Sequence, residues 1–340
     1  MTARVVLALL ALSGASHAAL FEFPTENDAL VRGPSGEFYM YVNRDFEGKR
    51  TTPWEGGQYG YVRGPKRIGR TVVFTAIHEG IDIRPIRRDA DGNPRDVARA
   101  SADGTVVYVN PRAGASNYGK YVVVEHRVGG SPIYTIYAHL AYPSVQVGDR
   151  VKQGQTLGVM GFTGSGIDRT RAHLHFETAL MLNPGFASWH AKTFPGEPNA
   201  HGNFNGRNLV GFDPSEVLLA SRKNPDTFDL RAHLRNTEAW FKVAIPAPAD
   251  LPLLRMYPWL LDGPAPQRPP GWEIAFSRYG VPVRITPFPR PISQPVVTWV
   301  RETNLPDASS TRGLVSTSGS RPTLTPSGRQ MIDLICAPAE

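Results

Sequence analysis

Apolar and polar positions alternate in short bursts through the middle of this chain. The runs Thr71–Ile77, Gly104–Asn110, Tyr121–Glu125, Ile133–Ala138, Gln155–Met160 and His173–Thr178 are rich in β-branched and aromatic residues. Glycine-bearing turns such as Ala102-Asp103-Gly104, Gly129-Gly130 and Gly161-Phe162-Thr163-Gly164 separate them. Period-two runs bounded by such turns predict strands, and strands this short and numerous predict a mainly β, compact antiparallel domain. Helical spacing is confined to the later chain, at Pro214–Ala220 and at Asp226–Val243, where Asp226 or Thr227 can cap the second helix. Pro246 to Pro270 is proline-dense and reads as a linker or an extended wrap. Beyond it, Trp272–Ile285, Pro295–Glu302 and Gln330–Cys336 predict further strands.

These patterns divide the chain into a lead-in at 19–70, a compact β domain at 71–214, a helical and proline-rich connector at 215–270 and a small accessory β region at 271–340. Ahead of them, residues 1–18 combine Arg4, an apolar run from Val5 to Leu12 and small residues at Ser16 and Ala18. That is the layout of a secretory signal cleaved between Ala18 and Ala19. The apolar run is shorter than the roughly 20 residues a bilayer span requires. Export to the periplasm, cell envelope or medium is therefore expected, without stable membrane insertion.

The composition, with 41% hydrophobic and 20% charged residues over 340 positions, is that of a folded globular protein. Cys336 is the only cysteine, which excludes an intramolecular disulfide and a thiolate metal cluster. The formal charge of +7 suits association with anionic envelope polymers. No motif or basic-aromatic repeat points to nucleic acid. Nothing in the sequence sets the oligomeric state.

The candidate chemistry lies in three clusters: His78-Glu79-Gly80-Ile81-Asp82, Tyr137-Ala138-His139-Leu140, and His173-Leu174-His175-Phe176-Glu177. Imidazole and carboxylate are the usual non-thiol ligands of zinc, and three protein ligands with an open fourth position mark a catalytic site. His78 and Asp82 sit as the histidines of a helical HExxH protease do, with Glu79 as that motif's base. Gly80, the isoleucines and Pro85 oppose a helix there. In an extended strand the pair would lie about 13 Å apart, too far for one ion, so the backbone must bend at Gly80 with Glu79 off the metal. His173 and His175, two apart on a strand, face one side while Leu174 and Phe176 enter the core.

Residues 57 to 178 resemble the catalytic domain of the lysostaphin/LytM-type zinc endopeptidases, which have the duplicated hybrid motif fold and cut peptidoglycan. The resemblance rests on Gly57-Gln-Tyr-Gly-Tyr-Val-Arg63, HEGIDI from His78, ADGTVVYV from Ala102, NYGKYVVVEH from Asn117, IYAHL from Ile136, VQVGDRVKQGQTLGVMGFTG from Val145 and HLHFE from His173. It implies zinc ligation by His78, Asp82 and His175, and proton transfer and transition-state stabilisation by His139 and His173. Glu177 and His126 then fall to supporting or structural roles. The substrate implied is a peptide cross-link or stem peptide of peptidoglycan, cleaved by zinc-activated water. The stretch Arg87–Asp96 is longer and more charged than the family's usual link and predicts a loop beside the cleft. The alternative is a catalytically inactive member that binds cell wall or activates another hydrolase; five intact positions oppose it. Val147–Gly158 also resembles biotinyl and lipoyl carrier text, but no attachment lysine follows.

Overall fold

The computed structural model describes residues 20–248, 250–264 and 269–339; the expected signal segment lies outside them. The fold is mainly β, with every ladder between named strands antiparallel. Its centre is a nine-stranded sheet containing, in order, Arg150–Val151, Gly104–Asn110, Lys120–Val128, Ser131–Pro143, Thr156–Met160 and Val97–Arg99. The strand Leu174–Met181 branches from this path, pairing with Ser131–Pro143, Ile81–Ile83 and Leu209–Phe212.

Leu174–Met181 is buried along its whole length, because the sheet is covered on both faces. Leu174, Phe176 and Leu180 join the main core, with Tyr137, Val122 and Ile133. Ala179 and Met181 join a smaller cluster with Tyr121, Val123, Ile136 and Ala138, against which Tyr118 and Phe204 pack. His175 and Glu177 fall on this second face by the strand's period of two.

The segment before residue 71 is part of the same core: Phe21, Leu30, Phe38 and Tyr39 are buried in it, and the Phe21 N–H donates to Ser221 Oγ at 2.8 Å. Gly60–Ile68 and Thr71–His78 form one hairpin, so the boundary expected at 70/71 falls inside it. The proline-dense stretch is packed as well: Leu253, Tyr257 and Leu260 are fully buried, and Tyr257 Oη accepts from the Met181 N–H at 2.8 Å.

Two expectations for the later chain differ from the structure. Asp226–Val243 is not one helix. A helix spans Leu230–Asn236, capped by Asp229, whose carboxylate accepts from the Arg231 and Ala232 N–H groups, and Phe241–Pro246 is then a strand. That strand pairs with Gly271–Phe276 and Val296–Val300 in a four-stranded sheet completed by Pro282–Phe288. Phe241 stacks on Phe276, with centroids 5.0 Å apart. The cross-strand partner outweighs the helical spacing. Gln330–Cys336 lies in a helix, Pro326–Cys336, started by the Thr325 hydroxyl accepting from the Gly328 N–H with proline in the first turn. A third helix, Phe186–Thr193, has no counterpart in the sequence expectations. No helix among the described residues is long and apolar enough to cross a membrane.

Candidate metal centre

Three elements bring the charged residues together. Thr71–His78 ends at His78, the chain breaks at Glu79-Gly80, and Ile81–Ile83 restarts with Asp82 at its centre. A β-carbon on Gly80 would lie 2.4 Å from Phe176 O and 2.7 Å from Glu177 Cγ. Glycine is therefore required by the close approach of the His175 strand rather than by an unusual backbone angle. Asp82 is the cross-strand partner of His175, which also lies opposite Ala138. The next residue, His139, has a left-handed backbone, φ 63°, sparsely populated for a residue with a side chain. Its N–H donates to Tyr118 O at 2.9 Å, and the irregular pairing on both sides of Leu140 turns its ring toward His173, at a centroid distance of 4.8 Å.

Each histidine has one ring nitrogen committed outside the centre. His78 Nδ1 faces Gln58 O at 2.7 Å, His139 Nδ1 faces Thr163 O at 2.9 Å and His173 Nδ1 faces Arg171 O at 2.7 Å. A carbonyl only accepts, so each of these nitrogens carries the proton and Nε2 points inward. His175 is reversed: its Nε2 meets Glu177 Oε1 at 2.7 Å, leaving Nδ1 inward. Glu177 Oε1 also accepts from Tyr118 Oη at 2.7 Å, and Asp82 Oδ2 accepts from Arg63 Nη2 at 2.6 Å.

The inward atoms form a nearly equilateral triangle. His78 Nε2 is 3.0 Å from Asp82 Oδ1 and 3.1 Å from His175 Nδ1, which is 3.0 Å from Asp82 Oδ1. His78 and Asp82 both bring lone pairs to this triangle, so His175 Nδ1 faces two acceptors. A proton on Nδ1 serves one of them well, whereas a divalent cation satisfies all three atoms at once. Tetrahedral coordination at zinc–ligand distances has edges of about 3.3 Å, so the donor set fits such an ion after opening by a few tenths of an ångström. Among the described residues this trio is the cluster of His, Cys, Asp or Glu side chains close enough to hold a metal. His173 Nε2 lies 3.3 Å from Asp82 Oδ1, beside the triangle rather than in it.

Electrostatics follow burial and pairing. Burial alone would raise the Asp82 carboxyl, yet His173 and His78 beside it hold it well below the usual carboxylate range. Burial lowers His78; burial and then the neighbouring His173 and His175 push His139 well below an ordinary imidazole. For His175, burial opposes the charged form, but the hydrogen bonds and charges of Asp82 and Glu177 outweigh it and raise its pKa to about 9.

The structure thus gathers His78, Asp82, His139, His173 and His175 into one neighbourhood. Glu79 leaves it: its carboxylate pairs with Arg312, 233 residues later, and His78 ends a strand, so there is no HExxH helix. His126 is elsewhere, buried between Asp103 O and Thr135 Oγ1. The charged loop after Arg87 is hooked to the segment leading into His173, with Arg88 Nη1 on Arg169 O and Arg169 Nη1 on Asp91 O. Gln58, Arg63 and Tyr118 were not singled out from the sequence, although the GQYGYVR and NYGK stretches contain them. A cavity of about 560 Å³ opens against His78, His175, Tyr118 and Glu177, walled on its far side by Glu197, His201 and Arg207.

Comparison with known proteins follows the same stretch. Residues 76–184 match Peptidase family M23. The peptidoglycan DD-endopeptidase ShyC of Vibrio cholerae is 44% identical over 115 residues, 33% of this chain and 22% of that protein. The DD-carboxypeptidase/endopeptidase Mpg of Neisseria meningitidis is 34% identical over 108 residues, 32% of this chain and 21% of that protein. The chain thus spans about a fifth of these relatives' length. Among solved structures, the catalytic domain of lysostaphin from Staphylococcus simulans aligns at 24% identity and a TM-score of 0.29, covering 47% of this chain and 88% of that one.

Proposed function

We propose, from the Peptidase family M23 domain that residues 76–184 carry, that this protein is an exported zinc metalloendopeptidase hydrolysing peptide cross-links or stem peptides of bacterial peptidoglycan. The observation that carries the reading is the triangle of His78 Nε2, Asp82 Oδ1 and His175 Nδ1, with edges of 3.0–3.1 Å. These three residues would hold the ion, which when bound polarises a carbonyl and lowers the pKa of water. Glu177 and Gln58 orient the two ligand rings, and Arg63 orients the carboxylate. His139 and His173 each turn an Nε2 toward the metal centre, anchored from behind by Thr163 O and Arg171 O. Either takes a proton there, and the imidazolium so formed steadies developing negative charge on the substrate oxygen.

The relatives named as peptidoglycan endopeptidases support the substrate class, and the signal-like residues 1–18 support export to the envelope. The test is digestion of defined muropeptides by the metal-loaded protein, with product masses read out and metal measured per chain. New amino termini from cleaved peptide bonds at one zinc per chain are expected. Release of sugar fragments alone, or zinc far below one per chain, overturns the assignment, and the latter favours a non-catalytic wall-binding or activating role.

A further inference from the structure

The sheet of Phe241–Pro246, Gly271–Phe276, Pro282–Phe288 and Val296–Val300 turns one face into the main core, through Phe241, Val243, Ile245, Ile274 and Phe276. Its other face carries a row of directly opposed residues, Trp299, Lys242, Ala275 and Arg284, and opposed residues share a face. The row crosses three strand spacings, about 14 Å. Of the six tryptophans, Trp299 is the exposed one, at 42%, so much of its ring is open to contact. A cavity of about 580 Å³ lies against Trp299, Lys242 and Arg284. Ala239 also lines it, and packs with Ala275 and Val283 in a small cluster separate from the main core.

The polar groups around this ring stand in donor–acceptor pairs. The edge strand bulges at Thr298, whose hydroxyl donates to Glu273 Oε1 at 2.6 Å, and Lys242 Nζ lies 3.4 Å from Glu273 Oε2. Arg301 pairs with Glu238, and Arg284 Nη1 donates to Arg235 O at 2.6 Å. None of these charged side chains is fully buried, so each keeps hydrogen-bonding capacity toward the cavity. The two ion pairs leave Arg284 as the single unmatched charge of the lining, too little to hold a polyanion. An extended peptide finds no main-chain partner on this face, because the backbone groups of the central strands are used in the ladders.

A sugar ring matches what remains. Its C–H face is apolar and stacks on an indole, and its hydroxyls both donate and accept, so they bridge such pairs without adding charge. We propose that this cavity binds a pyranose oligosaccharide, one ring stacked on Trp299 and its hydroxyls shared between the Lys242–Glu273 and Arg301–Glu238 pairs. The site is joined to the metal-bearing part of the chain. Arg301 and Arg278 both lie over the Trp240 ring, each 5.2 Å from its centroid, and Arg278 lies 4.8 Å from that of Tyr61, in the hairpin that ends at His78. The sugar class follows from the cavity itself; that the natural ligand is the glycan strand bearing the stem peptides rests on the peptidase reading.

The experiment uses the full chain with two probes, the tetrasaccharide of β-linked N-acetylglucosamine and an acetylated, amidated tetra-alanine. Binding is read by calorimetry and by tryptophan fluorescence. The tetrasaccharide should bind and change the fluorescence, and the peptide should do neither. Trp299→Ala should raise the Kd for the tetrasaccharide about 10- to 100-fold, as truncating a stacked tryptophan does, and remove the fluorescence change. Trp299→Phe, which keeps a smaller ring, should recover part of the affinity, and Glu273→Gln, which breaks the pair with Lys242, should weaken binding about 3- to 10-fold. Failure of the tetrasaccharide to bind, equal affinity in the wild type and both Trp299 variants, or preference for the peptide overturns the site. Saccharide binding through Trp299 in a chain that cleaves no muropeptide leaves the site standing and overturns the peptidase reading instead.

Discussion

Lowering the pH should expel a divalent ion from the His78–Asp82–His175 triangle through the titration of one group. Without metal, His175 sits between the carboxylates of Asp82 and Glu177, which raise its pKa to about 9. Its Nδ1 must lose that proton to become a ligand. The deprotonated form binds the ion and the protonated form does not, so affinity rises with pH and levels off above about 9. Below that point it falls about tenfold per pH unit, reaching roughly 100-fold below the alkaline limit at pH 7, or ~3 kcal/mol. The slope should be one proton and no more. Asp82 stays ionised far below this range, and burial keeps His78 neutral there.

Glu177→Gln tests the cause. It removes one of the two anions that hold the His175 proton, so the bend in the profile should move to lower pH. It also weakens the partner that orients the ring, so the alkaline-limit affinity should fall about 10- to 100-fold. Zinc competition against a chromophoric chelator between about pH 6.5 and 9.5 measures both effects. Calorimetry in buffers of different ionisation enthalpy counts the proton released. A flat profile, a two-proton slope, or an unchanged bend in Glu177→Gln would refute the reasoning.

Glu79→Gln should keep most peptidase activity while His139→Ala and His173→Ala lose nearly all of it, measured on muropeptides; because Glu79 pairs with Arg312, the same variant should lose about 1–3 kcal/mol of stability in denaturant. Gly80→Ala places a β-carbon 2.4 Å from Phe176 O, and should cost on the order of 3 kcal/mol or more and lower zinc occupancy; full occupancy and wild-type stability would contradict the close approach. His126, buried and neutral, has its pKa lowered by burial to about 4. Its contribution is therefore complete above the unfolded value near 6.5 and lost as pH falls from there to about 4, a change of ~3 kcal/mol. Denaturant titrations should show His126→Gln with a flatter acid limb than the wild type over that window.

What could be read from the chain follows from the range of each interaction. The central strands were legible because alternation and glycine turns are local: Gly104–Asn110 occupies the run its pattern outlined. His173 and His175 declared a shared face for the same reason. The bend at Gly80 was legible from a distance argument, but its cause was not. The glycine answers to Phe176 and Glu177, 96 and 97 residues later, and only folding brings those atoms there. Thr325 and Pro326 announce a helix start, yet the dense run Met331, Ile332, Leu334 and Ile335 also suits a strand. The capping hydroxyl and burial of Ile332, Leu334 and Ile335 decide between them.

The same logic explains why the supporting residues were hidden while the ligands were visible. A ligand is recognised by its side chain, but the groups that aim three of the histidines are backbone carbonyls of Gln58, Thr163 and Arg171. Any residue supplies a carbonyl, so side-chain identity at those positions carries no signal for this role. Arg312 is hidden for a second reason: it comes from a segment outside the stretch with recognisable text. Arg312 restrains Glu79, next to one ligand, from the C-terminal region. The core motif therefore specifies where a metal can sit, while the C-terminal region sets how firmly the ligand loop is held. Arg312→Ala should accordingly lower metal retention, read as zinc per chain after dialysis. If it altered only global stability, the C-terminal region would be scaffold and nothing more.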